Sequence, residues 1–498
     1  MHIFGEAVSV GTAIFLVLAL GLALSFEFVN GFHDTANAVA TVIYTHTLKP
    51  TVAVVWSGIW NLIGVLTSSG AVAFAVLALL PVELVMNVGS GAGFAMVFAL
   101  LISAILWNLG TWYLGLPASS SHTLIGSIMG VGLANSMMAG GHEFGEGVNW
   151  AKAKEVGSSL LISPIIGFVF AALLLIIAKQ LIKRPELYRA PDKDKPPPPW
   201  IRALLVLTCT GVSFFHGSND GQKGMGLVML ILVGILPASF ALNPGTGVAE
   251  TAALLRESQF AQVTLDRYVN PHGAPVLHDY ASQELSAFLK TTGKATEDTF
   301  SALANKNREI TEALGGHARI ADIEAFERSK LRSNIYLVTE AIGKMAKLGL
   351  FKNADDKAEL LRYKKSLETT TKFIPDWVKV MVAFTLGLGT MIGWKRIVVT
   401  VGEKIGKEHL TYAQGASAEI VAMGTIGLAD YYGLPVSTTH VLSSGVAGTM
   451  WANRSGLQMG TLRNLLLAWV LTLPVCVLLG AATFAAGLFI VLNLFGIQ

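Results

Sequence analysis

Along its 498 residues the chain alternates long apolar runs with short polar breaks, and a helix needs roughly 20 apolar residues to cross the hydrocarbon core of a bilayer. Such runs fall near 8–30, 35–46, 51–80, 92–114, 117–139, 156–182, 201–217, 221–242, 374–394, 411–432, 435–453 and 461–493. They predict an all-α integral membrane protein of about 10–12 transmembrane helices. Several runs are too short or too long for one clean span, and the 51 glycines sit mostly among them, as expected where helices pack closely or break.

The apolar pattern lapses twice. The linker 183–200 is Pro-rich and basic; its PPPP run keeps it extended, and the six Lys/Arg of 183–202 make it cytoplasmic by the positive-inside rule. Residues 243–372 read as a soluble, mostly helical insertion that holds 35 of the 69 charged residues, mixed in sign as on solvated helices. The basic loop 395–407 also asks for the cytoplasm, which conflicts with a cytoplasmic insertion if 374–394 is one plain crossing. The chain thus divides into a first membrane repeat (1–182), the linker, the start of a second repeat (201–242), the insertion, and the remainder of the second repeat (373–498).

Composition narrows the class. With 52% hydrophobic residues, 14% charged and a mean hydropathy of +0.56, the chain is not a string of soluble domains. Cys209 and Cys476 lie alone in apolar runs, which excludes a disulfide scaffold, and a net charge of +3 without a dense basic stripe argues against nucleic acid. The start, MHIFGEAVSV, lacks the basic opening of a cleavable signal.

Self-similarity carries more. GLPASSSHTL (115–124) and GLPVSTTHVL (433–442) share Gly-Leu-Pro, a hydroxyl cluster, His and Leu in register, and Asn135 matches Asn453 beyond them. NGFHDTANA (30–38) and HGSNDGQKG (216–224) share Gly and Asp among polar neighbours. In each half the Asp motif precedes the hydroxyl motif, so the chain reads as two related halves, whose interface is where repeated polytopic units commonly place a substrate site.

Asp34 and Asp220 follow long apolar runs and lie at membrane depth, where a carboxylate costs about 2.5–3.5 kcal/mol on insertion scales. A lone Asp there can simply lock two helices; two in repeated contexts point to a site. Gly31, Gly217, Gly221 and Gly224 predict broken helices, whose termini would offer positive dipole ends to an anion. Pro117 and Pro435 mark the starts of hairpin-like elements, which set Ser119, Ser120, Ser121 and Ser437, Thr438, Thr439 beside N-terminal amides, a donor set for a tetrahedral oxyanion. A single hydroxyl cluster in a membrane helix more often bonds its own backbone; duplication favours a site. His122 and His440 would donate to substrate, relay protons or fix the hairpins. Glu419 is a further candidate, Glu27 reads as a proton site or a cap, and Asp430 as interfacial.

These motifs resemble the inorganic phosphate transporter (PiT) family, and most closely its bacterial low-affinity members. NGFHDTANAVATVIYT, NLGTWYLGLPASSSHTLIG, HGSNDGQKGMGLVML, TMIGWKR, GEKIGK and GLPVSTTHVLSSGVAGTM carry the resemblance. It implies inverted repeats with broken helices and re-entrant hairpins, alternating access, a homodimer and a place in the bacterial inner membrane. It also implies phosphate binding by Asp34, Thr35, Asn37, Asn219, Asp220 and Gln222 together with the two hydroxyl trios. The family motif is Asn-Asp with Asn three residues on. Here His33 replaces the first Asn of copy one and Lys223 the last of copy two. An ammonium at Lys223 would displace sodium, and a histidine beside Asp34 adds a side chain of the type that exchanges protons, so the expected driving ion is the proton. His33, Asp34, Asp220, Lys223, His122, His440 and Glu419 are the candidate coupling groups. No resident cofactor is expected. A divalent metal co-transported as a neutral metal-phosphate complex, held by Asp34 and Asp220, would ease repulsion between a phosphate dianion and two carboxylates. Alternatives are a sodium-coupled permease or one for sulfate or arsenate. An intramembrane Ser/His/Asp hydrolase is disfavoured by two matched motifs where one nucleophile suffices, and by the lack of GxSxG around these serines.

Overall fold

Hydrocarbon offers backbone N–H and C=O groups no partner, so apolar stretches satisfy their bonds internally as helices. The computed structural model is accordingly almost entirely helical. It describes every residue except 1, 5, 80–89, 139–144, 146, 193–195, 270–277, 291–292 and 494–498, and excepts further the side chains of 35–37, 278–279, 325 and 492–493. Six helices among the described residues are long and apolar enough to cross a membrane: Val10–Tyr44, Pro50–Thr67, Gly91–Tyr113, Trp150–Leu181, Pro199–Ile235 and Met459–Asn493. The runs 117–139, 411–432 and 435–453 form shorter helices, Ser120–Met138, Tyr412–Tyr431 and Thr438–Asn453, which are largely buried in protein and more polar.

Both acidic motifs lie within unbroken helices, Val10–Tyr44 and Pro199–Ile235, where their glycines had suggested breaks. These glycines serve close packing instead. A Cβ on Gly31 would lie 2.4 Å from the Leu386 carbonyl oxygen, and one on Gly217 would lie 2.1 Å from that of Asn61. The interruptions fall elsewhere, at the loops before Ser120 and Thr438 and at Gly70, in the left-handed region (φ 85°) between Pro50–Thr67 and Ala71–Leu77.

The chain forms two compact units. In the larger (18–80, 95–228 and 375–498), Thr438–Asn453 packs on Trp150–Leu181, and Ser120–Met138 on Met459–Asn493. Each hydroxyl-bearing helix thus packs against the long helix that follows the other one in sequence. Both long helices carry an internal proline, Pro164 and Pro474. The smaller unit (1–17, 81–94 and 229–374) holds a short strand pair, His2–Ile3 with Glu6–Ala7, and the helices Val248–Asp266, His278–Leu289, Thr299–Gly315, Ala325–Leu348 and Ala354–Thr371. Leu265, Phe288, Leu303, Ile310, Ile335, Ile342 and Leu360 contribute to its own core. Arg267 and the Tyr268 hydroxyl both donate to Asp356, at 2.8 and 2.7 Å.

If Gly217 is a packing glycine, Gly217→Leu should force its helix away from Asn61 and destabilise the fold by about 1–3 kcal/mol. The check is the thermal unfolding midpoint of the detergent-solubilised protein; an unchanged midpoint contradicts the packing role.

Candidate functional site

The two hydroxyl helices begin in the same way. Ser119 Oγ accepts from His122 N and Ser437 Oγ from His440 N, both at 3.2 Å, so each motif caps its own helix. The Trp469 indole donates to the Pro117 carbonyl at 2.9 Å and its ring stacks on His440 at 4.2 Å. The His122 and His440 rings face each other at 4.7 Å. Both histidines, with Ser443, Pro164, Lys154 and Trp469, line a largely apolar groove of about 840 Å³.

Beyond the caps, the hydroxyls reach the two acidic helices. Thr439 Oγ1 donates to Asp34 Oδ1 at 2.7 Å. Ser120 Oγ lies 2.8 Å from Asp34 Oδ2 and 3.3 Å from Asp220 Oδ2; its one proton serves one carboxylate at a time, and the shorter contact is to Asp34. His33 Nδ1 is 3.1 Å from Asp34 Oδ1 and its Nε2 is 3.1 Å from Thr111 Oγ1. Asp220 pairs with Lys223, Nζ to Oδ1 at 2.8 Å, and His216 Nε2 lies 3.6 Å from its other oxygen. His216 Nδ1 in turn meets Asn61 Oδ1 at 2.7 Å. All of these side chains are buried.

The remaining expected residues take other positions. Ser121 Oγ donates across to the Val436 carbonyl at 2.8 Å, joining one hydroxyl motif to the other. Asn219 Nδ2 donates to the Leu434 carbonyl at 3.1 Å, and its Oδ1 accepts from Val436 N at 3.5 Å, so it holds the loop before Thr438. Thr438 Oγ1 has no hydrogen-bond partner among the described residues. Gln222 turns elsewhere: it accepts from Val72 N at 2.9 Å and donates to Asp430 at 2.6 Å, beside Ser218, which donates to the same carboxylate at 2.6 Å. Glu419 takes hydroxyl hydrogen bonds from Thr41 and Thr208 and, among the described residues, has no bond to the Asp34 network. The side chains of Thr35 and Asn37 lie outside the described residues.

Sequence reasoning missed His216, Asn61 and Thr111, and Asp430 is a clasp between helices where an interfacial group was expected. His216 stands at the first position of the second Asp motif, opposite Asn30, and Thr111 lies within the quoted string NLGTWYLGLPASSSHTLIG, so both were open to recognition; Asn61 lies in an apolar run outside the quoted motifs. Asp34, His216 and Asp220 each offer a ligand atom within 4.8 Å of the others, a donor set that suits a divalent cation. Lys223 on Asp220 opposes that charge. Neither Ser120 nor Ser121 donates to an imidazole, the contact a Ser/His nucleophile requires.

The fold and this centre define a multi-pass membrane protein in which two helix N-termini and two buried acids from separate helices meet. The chain belongs to the phosphate transporter family, whose model matches residues 30–480. It is 42% identical to the low-affinity inorganic phosphate transporter PitA of Escherichia coli strain K12, over 97% of this chain and 98% of that one. It is 39% identical to the low-affinity inorganic phosphate transporter of Buchnera aphidicola subsp. Acyrthosiphon pisum, over 99% and 100%. A solved structure, the sodium-dependent phosphate transporter, shares the fold with a TM-score of 0.52 at 19% identity, over 95% of this chain and 98% of that one.

Ser120→Ala removes the one hydroxyl within reach of both Asp34 and Asp220. Labelled phosphate uptake in cells lacking other phosphate transporters should fall by about tenfold or more at equal membrane expression; wild-type uptake would remove Ser120 from the site.

Proposed function

We propose that the protein is a secondary active transporter that imports inorganic phosphate across a bacterial inner membrane by proton symport. The observation that carries the reading is the convergence of both hydroxyl-helix N-termini on Asp34, with Asp220 and its Lys223 partner alongside. N-terminal amides and hydroxyls suit a phosphate oxyanion, and the hydroxyls that would receive it now serve Asp34. Phosphate therefore competes with Asp34 for Ser120 and Thr439, and its binding rearranges the contacts that join the acidic helix to both hydroxyl helices. The hydroxyl of Thr438, without a partner among the described residues, is a further donor. Thr35 and Asn37 complete the proposed substrate set, and His33, His122, His440 and Glu419 the coupling set.

Lys223 supports protons over sodium, since its ammonium already supplies a cation to Asp220. The carboxylates of Asp34 and Asp220 with the His216 imidazole would hold the divalent metal of a metal-phosphate complex, which travels as substrate. The halves 1–182 and 201–498, less a soluble insertion at 243–372, act as inverted repeats that expose the centre alternately, and two copies pair as a homodimer. The exchanged packing of hydroxyl and long helices supports two related halves.

Proteoliposomes with imposed gradients test this. Phosphate accumulation should follow an inward proton gradient, ignore sodium and rise with divalent metal; accumulation on sodium alone overturns the coupling. In cells lacking other phosphate transporters, Asp34→Asn and Asp220→Asn should abolish uptake with expression intact, and full uptake by both would remove the acids from the mechanism. Lys223→Asn should weaken proton coupling, read as a smaller loss of uptake on adding a protonophore; an unchanged response contradicts its role.

A further inference from the structure

One buried acid stands apart from the hydrogen-bonded network. Glu27 and Asn30, on one face of the Val10–Tyr44 helix, have no exposed surface. Neither Glu27 oxygen, and neither polar atom of the Asn30 amide, has a hydrogen bond of ordinary geometry among the described residues. The contrast with Glu419, held by two hydroxyls, is plain. The Pro199–Ile235 helix presses against this carboxyl through Gly224, where a Cβ would lie 2.2 Å from Glu27 Cγ and 2.5 Å from Oε1. The charged groups facing it are Asp220 and Lys223, both from that helix; the Asn30 amide and the Gly224 backbone reach it only as poorly aligned hydrogen-bond donors. Lys223 Nζ forms an ion pair with Asp220 at 2.8 Å, and an ammonium carries three donors, enough to serve a second carboxylate as well.

A buried carboxylate with only poorly aligned neutral donors is stable only with a proton or a neighbouring cation. One ammonium between two acids balances one negative charge, so the trio of Asp220, Lys223 and Glu27 is neutral when Glu27 holds a proton. We infer that Glu27 carries the transported proton and that Lys223 conveys its charge state to Asp220 at the substrate centre. The inference rests on the proton symport proposed above. A proton from water on one side joins a Glu27 oxygen and leaves to water on the other. Protonated, the cluster is one charge more positive and favours an anion beside Asp220; by reciprocity, phosphate binding favours the proton. With the proton gone, Glu27 draws the ammonium away from Asp220.

The test separates exchange from accumulation in proteoliposomes. Phosphate–phosphate exchange at equal pH moves no net proton, whereas accumulation on a proton gradient must. Glu27→Gln mimics the protonated acid, so exchange should stay within about twofold of wild type, while gradient-driven accumulation and the accompanying proton influx, read by a trapped pH dye, fall about tenfold or more. Glu27→Asp, which still titrates, should restore the proton influx. Wild-type accumulation and proton influx in Glu27→Gln overturn the inference. So does loss of exchange in both variants at normal size-exclusion profiles, which marks a structural residue. Failure of the wild-type protein to accumulate phosphate on a proton gradient overturns the symport itself, and this inference with it; the wild-type arm tells the two failures apart.

Discussion

A carboxylate buried among membrane helices must be satisfied by the protein, because lipid cannot hydrate it. Asp34 meets that demand with groups from three other elements: Ser120, Thr439 and, through His33, Thr111. Its charge therefore fixes where both hydroxyl helices begin relative to the Val10–Tyr44 helix. Withdrawal of any donor leaves a buried charge short of partners, at a cost of about 1–3 kcal/mol or more. The rest of the centre follows from this requirement, including the caps of Ser119 and Ser437 that hold the two N-termini in place.

The polar end of this arrangement was legible in the chain. The repeated Gly-Leu-Pro, hydroxyl and His strings, with an Asp ahead of each, sufficed to name Asp34, Asp220, Ser120 and Thr439, the family resemblance singled out Lys223, and the structure brings these five together. Glycine misled. A Gly in a polar motif of an apolar helix permits either a break or a close approach, and only the neighbour decides: the Leu386 carbonyl meets Gly31 and the Asn61 carbonyl meets Gly217. Gln222 misled for a related reason. It shares a motif with Asp220, but two positions along a helix turn a side chain about 200° away, toward Asp430 and Val72. Asn61 carried no local signal, because it acts only through a partner distant in sequence, His216, and Thr111 lay in a quoted motif whose partner, His33, is equally distant.

The two acids are alike in sequence and unlike in surroundings. Asp34 is held mainly by neutral hydroxyls, with His33 beside it, whereas Asp220 is held by an ammonium, with His216 at 3.6 Å and one longer hydroxyl contact. On the proposed reading, an anion entering at Ser120 and Thr439 would compete directly with Asp34, so that side would sense the substrate. Competition for Lys223 by a second carboxylate bears on Asp220 instead. Ser120 is within reach of both acids, and its proton can serve only one of them at a time. A change in either acid therefore alters what Ser120 can offer the other. In the proposed symport, substrate and driving ion would thus be coupled over one hydroxyl without sharing a ligand, and linkage requires no more than such a common element with two arrangements.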